Sequence, residues 1–240
     1  MRSNFVTRNP IFRLFHTFLP DDMSHQVTAQ FFARQALSKV NNPVKILDLG
    51  CGAGDSATFF EENLPNVDWH GVDIEDSPEV RARKHDDVRI SCFDGVHLPY
   101  PDNHFDIVYT RQVFEHVRHP DLLLRDVTRI LKDGGAFVGS VSYLEPYHSY
   151  SIFNFTPYAI VKLFDSAHLK LLELRPSIDG ITVILRQLLN KPRFLDFFFE
   201  HTSPLNALID LIATLTRLGH KERNFLKLQF TGIICFFAVK

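Results

Sequence analysis

Three closely spaced glycines follow a short apolar run and have the spacing of a ligand-binding turn. Gly50, Gly52 and Gly54 come directly after Val44–Leu49, which is typical of a buried strand, and a helical segment follows them. Glycine allows a tight turn and the close approach of a ligand to the bare main chain. The first amides of a helix also favour an anion. The pattern predicts a binding site at the carboxyl end of the first strand.

The acidic residues around this turn distinguish between two kinds of ligand. A dinucleotide fingerprint has Gly or Ala at the place occupied here by Asp55, and Asp48 adds a carboxylate on the strand before the turn. These carboxylates would repel a diphosphate and suit a ligand that carries an ammonium and a sulfonium group. Asp73 ends the second apolar run, where an acidic side chain can accept hydrogen bonds from ribose hydroxyls. The alternative is that Asp48 only orients the loop and Asp55 only caps the helix.

The elements that must position these residues alternate between strand and helix, which predicts an α/β fold with a parallel sheet. The predicted strands are Val44–Leu49, Asp68–Asp73, Val88–Cys92, Phe105–Tyr109, Ala136–Ser142 and Leu169–Leu174. The predicted helices are Ser24–Val40, Pro120–Lys132, Ile181–Asn190, Arg193–Glu200 and Ser203–Leu218. Ser203 is the expected N-cap of the last of these helices, and Gly219 its expected terminator. Leu226–Val239 ends the chain as a run rich in residues that favour strands.

With these motifs in order, the chain resembles the class I S-adenosylmethionine-dependent methyltransferases of the type 11 group, which includes quinone-biosynthesis enzymes. The resemblance covers about residues 40–145. Its blocks are Val44–Gly54, Gly71–Ile74, Cys92–Gly95, Leu98–Tyr109, Val113–Val117 and Arg129–Gly135. It implies a Rossmann-like sheet of seven mostly parallel strands with helices on both faces. The last strand, over 230–239, would be antiparallel beside the sixth, after a helical insertion at about 181–224.

The resemblance also implies S-adenosylmethionine as the cofactor and a set of residues that contact it. These would be Asp48, Gly50, Cys51, Gly52, Gly54, Asp73, Ile74, Asp94, Gly95 and Arg111. The main chain of the turn would face the methionine part of the cofactor, which Asp48 would orient. Asp73 would hold the ribose, Ile74 would pack on the adenine, and Asp94 would accept a hydrogen bond from the adenine amino group. Arg111 would lie where the cofactor approaches the methyl acceptor.

Methyl transfer from a sulfonium needs alignment and the exclusion of water more than it needs catalytic groups. A hydroxyl acceptor additionally needs a base. The candidate catalytic residues are His148, after the fifth strand, and His116, with Glu115 and Tyr147 as weaker candidates. Gln112 would lie near the acceptor. Each of them has an alternative interpretation as a solvated loop residue or helix-end residue.

The charge and cysteine content narrow the class of protein. The chain has 26 Lys and Arg against 28 Asp and Glu, a net charge of −2, which disfavours nucleic acid as a partner. Cys51, Cys92 and Cys235 form neither a disulfide framework nor a metal-ligand cluster, and no metal site is expected. No secretory signal and no apolar run of about 18 residues is found. A cytoplasmic location is expected, with peripheral membrane contact through 203–218 as an open possibility.

Phenylalanine contributes 23 of the 240 residues, many of them outside the predicted sheet. We predict an N-terminal helical lid over residues 1–42 and a methyltransferase domain over 43–240. Phe12–Phe32 would close over the site. Phe153, Phe155 and the helices of 181–218 would complete an apolar pocket for a small, apolar or lipid- or sugar-linked acceptor. The alternative explanation of the phenylalanines is an enlarged core or a dimer interface.

The leading functional hypothesis is therefore methyl transfer to an oxygen, with nitrogen and carbon as less favoured acceptor atoms. Three other hypotheses stay open at this point. They are a cofactor-binding or scaffold protein without turnover, an NAD-type oxidoreductase, and a methyltransferase that acts on a macromolecule. The sequence indicates neither the identity of the acceptor nor the oligomeric state.

Overall fold

The computed structural model describes residues 5–41, 43–83, 89–146 and 149–240. Its strands are β1 (Val44–Leu49), β2 (Val67–Asp73), β3 (Ile90–Cys92), β4 (Phe105–Arg111), β5 (Leu131–Ser142), β6 (Lys170–Pro176) and β7 (Ile233–Val239). Its α-helices are α1 (Pro10–Phe15), α2 (Ala29–Leu37), α3 (Ser56–Asn63), α4 (Pro78–Arg81), α5 (Pro120–Ile130), α6 (Pro157–Ser166), α7 (Gly180–Leu188), α8 (Arg193–Glu200), α9 (Pro204–Leu215) and α10 (His220–Phe230). In the described part of the chain, no helix has the length and apolar character needed to cross a membrane.

The strands form one sheet in the order β3-β2-β1-β4-β5-β7-β6. β1 to β5 pair in parallel, whereas β7 is antiparallel to both β5 and β6. This confirms the predicted seven-stranded, mostly parallel sheet with an antiparallel last strand. The strand order reverses at β1, which pairs with β2 on one side and with β4 on the other. Open α/β sheets bind ligands at the carboxyl ends of the strands beside such a reversal.

The two faces of the sheet are buried by different helices, as the alternation in β1 illustrates. Leu47 and Leu49 point into a core shared with α1, α5, α6 and α10. Val44 and Ile46 point to the opposite face, which α2 and α3 cover. Successive strand residues face opposite sides, so a run that is apolar on both sides requires two helical layers. The expected helices on both faces are confirmed.

The strand-favouring C-terminal run Leu226–Val239 begins as a helix. α10 continues to Phe230, and β7 starts only at Ile233. Phe225 and Leu228 are spaced three apart and are both buried in the core beneath α10. Burying this helical face outweighs the local preference of the segment for strand. The helical insertion is confirmed, but it covers α7 to α10, residues 180–230, instead of 181–224.

The predicted signals at the ends of α9 act differently in the structure. Ser203 makes no side-chain capping bond to α9; its hydroxyl donates to Gln26 Oε1 at 3.0 Å instead. The amide of Leu205 donates to Asp179 Oδ2 at 3.1 Å, so a distant carboxylate takes the place of the cap. Gly219 is the N-cap residue of α10, with a φ of −74°, and does not terminate α9. The helix ends earlier, and Arg217 has the left-handed backbone, with a φ of 55°.

The N-terminal segment packs into the core on both faces of the sheet. The ring of Phe12 in α1 meets that of Phe225 at 5.3 Å between centroids. Phe32 in α2 meets Phe237 of β7 at 5.8 Å. The helix predicted over Ser24–Val40 is thus confirmed as the shorter α2. These contacts support the alternative that the N-terminal phenylalanines enlarge the core.

A buried lysine joins three separate segments. The side chain of Lys227 in α10 is fully buried, and its Nζ donates to the Ser24 carbonyl at 2.6 Å and to Asp210 Oδ2 of α9 at 2.8 Å. Burial lowers the pKa of Lys227, whereas the hydrogen bond that it donates to Asp210 raises it. A cation in this position depends on its carboxylate partner.

We predict that Asp210→Asn lowers the free energy of unfolding by about 3 kcal/mol, because it leaves a buried charge without its counterion. Urea denaturation would measure the change. The matched control is Glu61→Gln, which removes a carboxylate from an exposed pair with Arg89 and should cost less than about 1 kcal/mol. Equal losses in the two variants would show that the Lys227 pair does not stabilise the insertion.

Candidate functional site

A cavity of about 1000 Å³ lies at the carboxyl ends of β1, β2 and β4, beside the point where the strand order reverses. Its walls come from the turn after β1, the segment that contains α4, the loop after β3, and the residues that follow β4. This volume is at the upper end of the range of small-molecule and cofactor pockets. The site is therefore where the glycine turn predicted it.

Most of the predicted cofactor-contacting residues line this cavity. The lining members are Asp48, Gly50, Cys51, Gly52, Asp73, Ile74, Asp94, Gly95 and Arg111. Gly54 is absent from the described lining residues: a Cβ there would face Ile90 and Trp69, so this glycine serves helix–sheet packing. Of the catalytic candidates, His116 lines the cavity. His148 and Tyr147 lie outside the described residues.

The turn after β1 brings main chain against the wall of the cavity. Gly50 and Gly52 have φ angles of +73° and +51°, in the left-handed region that favours glycine. A Cβ added to Gly50 would lie 2.2 Å from Cγ2 of Val113, so no side chain fits there. The expected requirement for glycine at this bend is confirmed.

The amides of the turn are used inside the protein. Gly50 and Cys51 donate to the carbonyl of Val72 at 2.8 and 3.1 Å. Gly52 donates to Asp73 Oδ2 at 2.6 Å, and Gly54 donates to the carbonyl of Cys51 at 2.8 Å. The expectation that amides at this turn would bind an anion is therefore wrong for these four main-chain amides. Since a diphosphate is bound by such amides, this geometry disfavours the dinucleotide alternative.

Asp48 is buried behind the turn in a short hydrogen-bond chain. The indole of Trp69 donates to the hydroxyl of Ser56 at 3.1 Å, and that hydroxyl donates to Asp48. Burial raises the pKa of Asp48 to about 7, while Ser56 and Arg111 act to lower it. A cation bound in the cavity would favour the ionised form.

Asp73 lies at the junction of the turn and β2. Its Oδ1 accepts the amide of Ile74 at 2.8 Å and its Oδ2 accepts that of Gly52, so each oxygen keeps a further lone pair. Burial raises the pKa of Asp73. The carboxylate is held by two main-chain donors while it still lines the cavity.

Asp94 is organised by the loop that follows it. Its Oδ1 accepts the amides of Val96 and His97 at 2.8 and 2.6 Å, and its Oδ2 lies 2.8 Å from Nδ1 of His97. The hydrogen bond with His97 lowers the pKa of Asp94. The side chain thus shapes the loop as well as lining the cavity.

Carboxylates outnumber cations among the described lining residues. The acidic members are Asp48, Asp55, Asp73, Asp76, Glu79 and Asp94, and the arginines are Arg81, Arg111 and Arg118. Asp55 makes no capping hydrogen bond to α3, so the alternative role as a helix cap is not observed. Burial raises the pKa of Cys51 to about 12, which keeps it a neutral thiol. The cavity suits a cationic ligand better than a polyanion.

Sequence reasoning missed the segment around α4. Glu79 packs over the turn, since a Cβ on Gly52 would lie 3.2 Å from Cβ of Glu79. Nε of Arg83 donates to the carbonyl of Gly52 at 2.6 Å. The signal available was Ser77 before Pro78, which favours a helix start. Ser77 does cap α4, accepting the amide of Val80.

Sequence reasoning also missed a carboxyl pair beside the cavity. The hydroxyl of Ser142 lies 2.7 Å from Oε1 of Glu115 and 2.5 Å from Oε2 of Glu145. A hydroxyl has one hydrogen, so a second hydrogen at these two contacts must come from a protonated carboxyl. Burial raises the pKa of Glu115 to about 7, and the charge of Glu145 acts in the same direction. Glu115 is therefore the carboxyl of this pair whose affinity for a proton is raised by its surroundings.

Known proteins share both the fold and the motifs. Residues 47–139 match the family described as a methyltransferase domain. The chain is 32% identical over 111 residues to an uncharacterised methyltransferase of Schizosaccharomyces pombe, which covers 41% of this chain and 40% of that protein. It is 33% identical over 107 residues to the ubiquinone/menaquinone biosynthesis C-methyltransferase UbiE of Pseudomonas putida, covering 41% of this chain and 42% of that protein. The chain thus matches about two fifths of the length of these relatives.

A solved structure extends the similarity of fold beyond the matched residues. The S-adenosylmethionine-dependent methyltransferase of Mesorhizobium loti superimposes with a TM-score of 0.54 at 17% identity, covering 88% of this chain and 98% of that one. The fold is that of this solved S-adenosylmethionine-dependent methyltransferase. Residues 47–139 match the methyltransferase domain of the type 11 group, and this match supports S-adenosylmethionine as the cofactor.

We predict that Gly50→Ala destabilises the protein and abolishes binding of S-adenosylhomocysteine, because the new Cβ meets Val113. The matched control is Gly134→Ala, which has a similar φ of +77° but no atom within 4 Å of the added Cβ. Both variants carry the strain of a left-handed alanine, about 1 kcal/mol. Gly50→Ala should lose about 2 kcal/mol more in urea denaturation. Equal losses would mean that the close approach at Gly50 is unimportant.

We predict that Glu115 makes stability depend on pH. Its pKa is raised on folding, from 4.5 to about 7, so its stabilising contribution is complete below the unfolded value and is lost as the pH rises through about 7. The stability advantage of the native protein over Glu115→Gln should fall by up to about 3 kcal/mol between about pH 5 and about pH 8. Urea denaturation at both pH values measures this difference. The exposed-site control Glu62→Gln should show no such fall, and a flat difference for Glu115→Gln would contradict the assignment.

Proposed function

We propose that this chain transfers the methyl group of S-adenosylmethionine to an oxygen of a small, apolar or lipid- or sugar-linked acceptor. The observation that carries the proposal is the carboxylate-lined cavity beneath a glycine turn whose amides are already engaged. When bound, S-adenosylmethionine supplies an activated methyl group on a cationic sulfur. The cavity has an excess of negative charge, which fits this cation. The amides of the turn bond within the protein and are not offered to an anion; they are those of Gly50, Cys51, Gly52 and Gly54.

The proposed binding roles follow from the positions of the side chains. Asp73 has a lone pair on each oxygen for the ribose hydroxyls. Ile74, whose side chain is 41% exposed beside it, offers an apolar surface for the adenine. The main chain of Gly50 and Cys51 would lie against the methionine part, with Asp48 supplying negative charge behind it. Asp94 would accept from the adenine amino group through the one lone pair left on its Oδ2.

The proposed acceptor side of the cavity is the wall after β4. Arg111 and Gln112 line it, and His116 follows in a short 3₁₀ helix, Phe114–His116. His116 is proposed to take the proton of an acceptor hydroxyl, and His148 remains a second proposed base. The apolar side chain of Val113 between them helps to exclude water, which favours transfer to the acceptor.

Two further parts of the proposal concern segments outside the cavity, namely residues 1–42 and the helices of the insertion. Residues 1–42 are proposed as a lid, although none of the described residues before β1 lines the cavity, so closure would require movement. The helices α7 to α9 are proposed to bind the apolar part of the acceptor and to allow peripheral membrane contact. A cytoplasmic location is part of the same proposal.

We predict that Asp73→Asn weakens S-adenosylhomocysteine binding by about tenfold or more, because a charged hydrogen-bond acceptor is lost. Isothermal titration calorimetry would measure the dissociation constant. The control is Asp68→Asn on the same strand, where the carboxylate is exposed and paired with His70. That variant should bind as the native protein does.

Transfer itself is tested with methyl-labelled S-adenosylmethionine and hydroxylated apolar acceptors. A thermal shift with NADH and none with S-adenosylhomocysteine would overturn the proposed cofactor. Tight cofactor binding with no label transferred to any component of a cell extract would instead favour a scaffold role.

A further inference from the structure

The walls of the cavity beside the glycine turn differ in the sign of their charge. β1, β2 and the loops that follow β1, β2 and β3 form an acidic side, whose carboxylates among the described lining residues are Asp48, Asp55, Asp73, Asp76, Glu79 and Asp94. The segment after β4 forms a basic wall, whose ionisable side chains among the described lining residues are Arg111, His116, Arg118 and His119. The cavity therefore presents opposite charges to the ligands that enter it.

The arginines of the two sides differ in their partners. On the acidic side, Nε and Nη2 of Arg81 both bond to Asp76, so this guanidinium has a counterion. On the basic wall, Arg111 and Arg118 are exposed, and neither makes a hydrogen bond or an ion pair with a described residue. Glu115 lies between them in the sequence, but its buried carboxyl bonds to Ser142. The basic wall thus offers two guanidinium groups to an anion.

The main chain that carries Arg118 is fixed on both sides. Val117, which precedes it, is buried in the core that α5 shares with α1, α6 and α10. His119, which follows it, is the N-cap residue of α5, and its carbonyl accepts the amides of Leu122 and Leu123 at 3.1 and 3.2 Å. A binding side chain is most effective on a support that is already rigid. Arg118 meets this condition.

The proposed cofactor brings one carboxylate of its own, on its methionine part. Arg111 would meet this carboxylate, because its charge acts on Asp48 behind the turn, where the methionine part is proposed to lie. Arg118 follows the 3₁₀ helix Phe114–His116, further along the same wall. It is therefore available to the second ligand of the reaction.

We propose that the methyl acceptor carries an oxyanion group, a carboxylate or a phosphate, and that Arg118 binds this group. The inference rests on the proposed function and narrows its substrate class. An acceptor that covered Arg118 without an anionic group would remove water from a guanidinium that has no partner, which is costly. A guanidinium also matches two oxygens of a carboxylate or phosphate with two parallel N–H bonds.

The opposite charges of the two sides let one cavity hold both ligands. The sulfonium and ammonium of the cofactor would lie on the acidic side, and the oxyanion of the acceptor would lie on the basic wall. A polyanion such as a nucleic acid would bring further phosphates against the acidic side, where they are repelled. The site therefore fits a small acceptor with a single anionic group.

The experiment uses the full chain saturated with S-adenosylhomocysteine and compares probes of one shape by calorimetry. The probes are 6-hydroxy-2-naphthoate, its neutral amide 6-hydroxy-2-naphthamide, and 6-hydroxy-2-naphthyl phosphate. We expect the tighter-binding anion to exceed the amide by about tenfold or more, because the amide lacks the charge that Arg118 pairs with. Which of the two anions binds more tightly identifies carboxylate or phosphate as the group. An amide that binds as well as both anions, or no binding of either anion at millimolar concentration, would overturn the proposal.

The role of Arg118 is tested with a matched pair of arginines. Arg118→Gln should weaken the preferred anion about tenfold and leave the amide within about twofold. Arg118→Lys, which keeps the charge but not the paired N–H groups, should restore part of the loss. Arg125→Gln changes an exposed arginine of α5 outside the described lining residues and should leave both affinities unchanged. Equal losses in Arg118→Gln and Arg125→Gln, or equal losses for the anion and the amide, would contradict the assignment.

Titration with S-adenosylhomocysteine alone separates this inference from the proposed function. Arg118→Gln should keep its affinity within about twofold, and a tenfold loss would show that Arg118 binds the cofactor and overturn the proposal. Normal binding of S-adenosylhomocysteine with no preference for an anionic probe would refute this inference alone. A preference that depends on Arg118 in a chain that does not bind S-adenosylhomocysteine would refute the methyltransferase proposal and leave an anion site.

Discussion

The constraint on which the site depends is the close approach of the first strand-to-helix turn to Val113. Only main chain fits between them, because a Cβ on Gly50 would lie 2.2 Å from Val113. The turn can approach so closely because its own amides bond to Val72 and to Asp73. The conformation of this turn therefore connects it to the end of β2 and holds the side chain of Asp73. It also leaves a cavity that is bounded by main chain on this side.

The hydrogen bonds that the amides of the turn make within the protein decide the kind of ligand. The presence of the glycines decides it less. Nucleotide-binding turns of many kinds contain glycines, and those that bind diphosphates offer their amides to the ligand. Here the four amides of the turn are engaged, and carboxylates such as Asp48 and Asp55 surround the space. The electrostatic balance fits a cationic cofactor, which agrees with the methyltransferase family that residues 47–139 match.

The insertion between β6 and β7 is stabilised by buried hydrogen bonds between polar side chains and main chain. The carboxylate of Asp179 accepts the amides of Thr182 and Leu205, so it organises the starts of both α7 and α9. Lys227 joins α10 to α9 and to the N-terminal segment. These buried bonds fix the base of α7, while Ile181, Ile184 and Leu188 on its outer face stay exposed.

The sequence by itself determined the sheet, the glycine turn and the place of the cavity beside that turn. These depend on contiguous residues: the alternation in Val44–Leu49 sets two buried faces, and the left-handed turn needs Gly50 and Gly52 locally. Only tertiary structure decided that residues 226–230 are the last turn of a helix, and that Ser142 meets Glu115 and Glu145. Those outcomes depend on burial and on partners distant in the chain, whose positions no local pattern encodes.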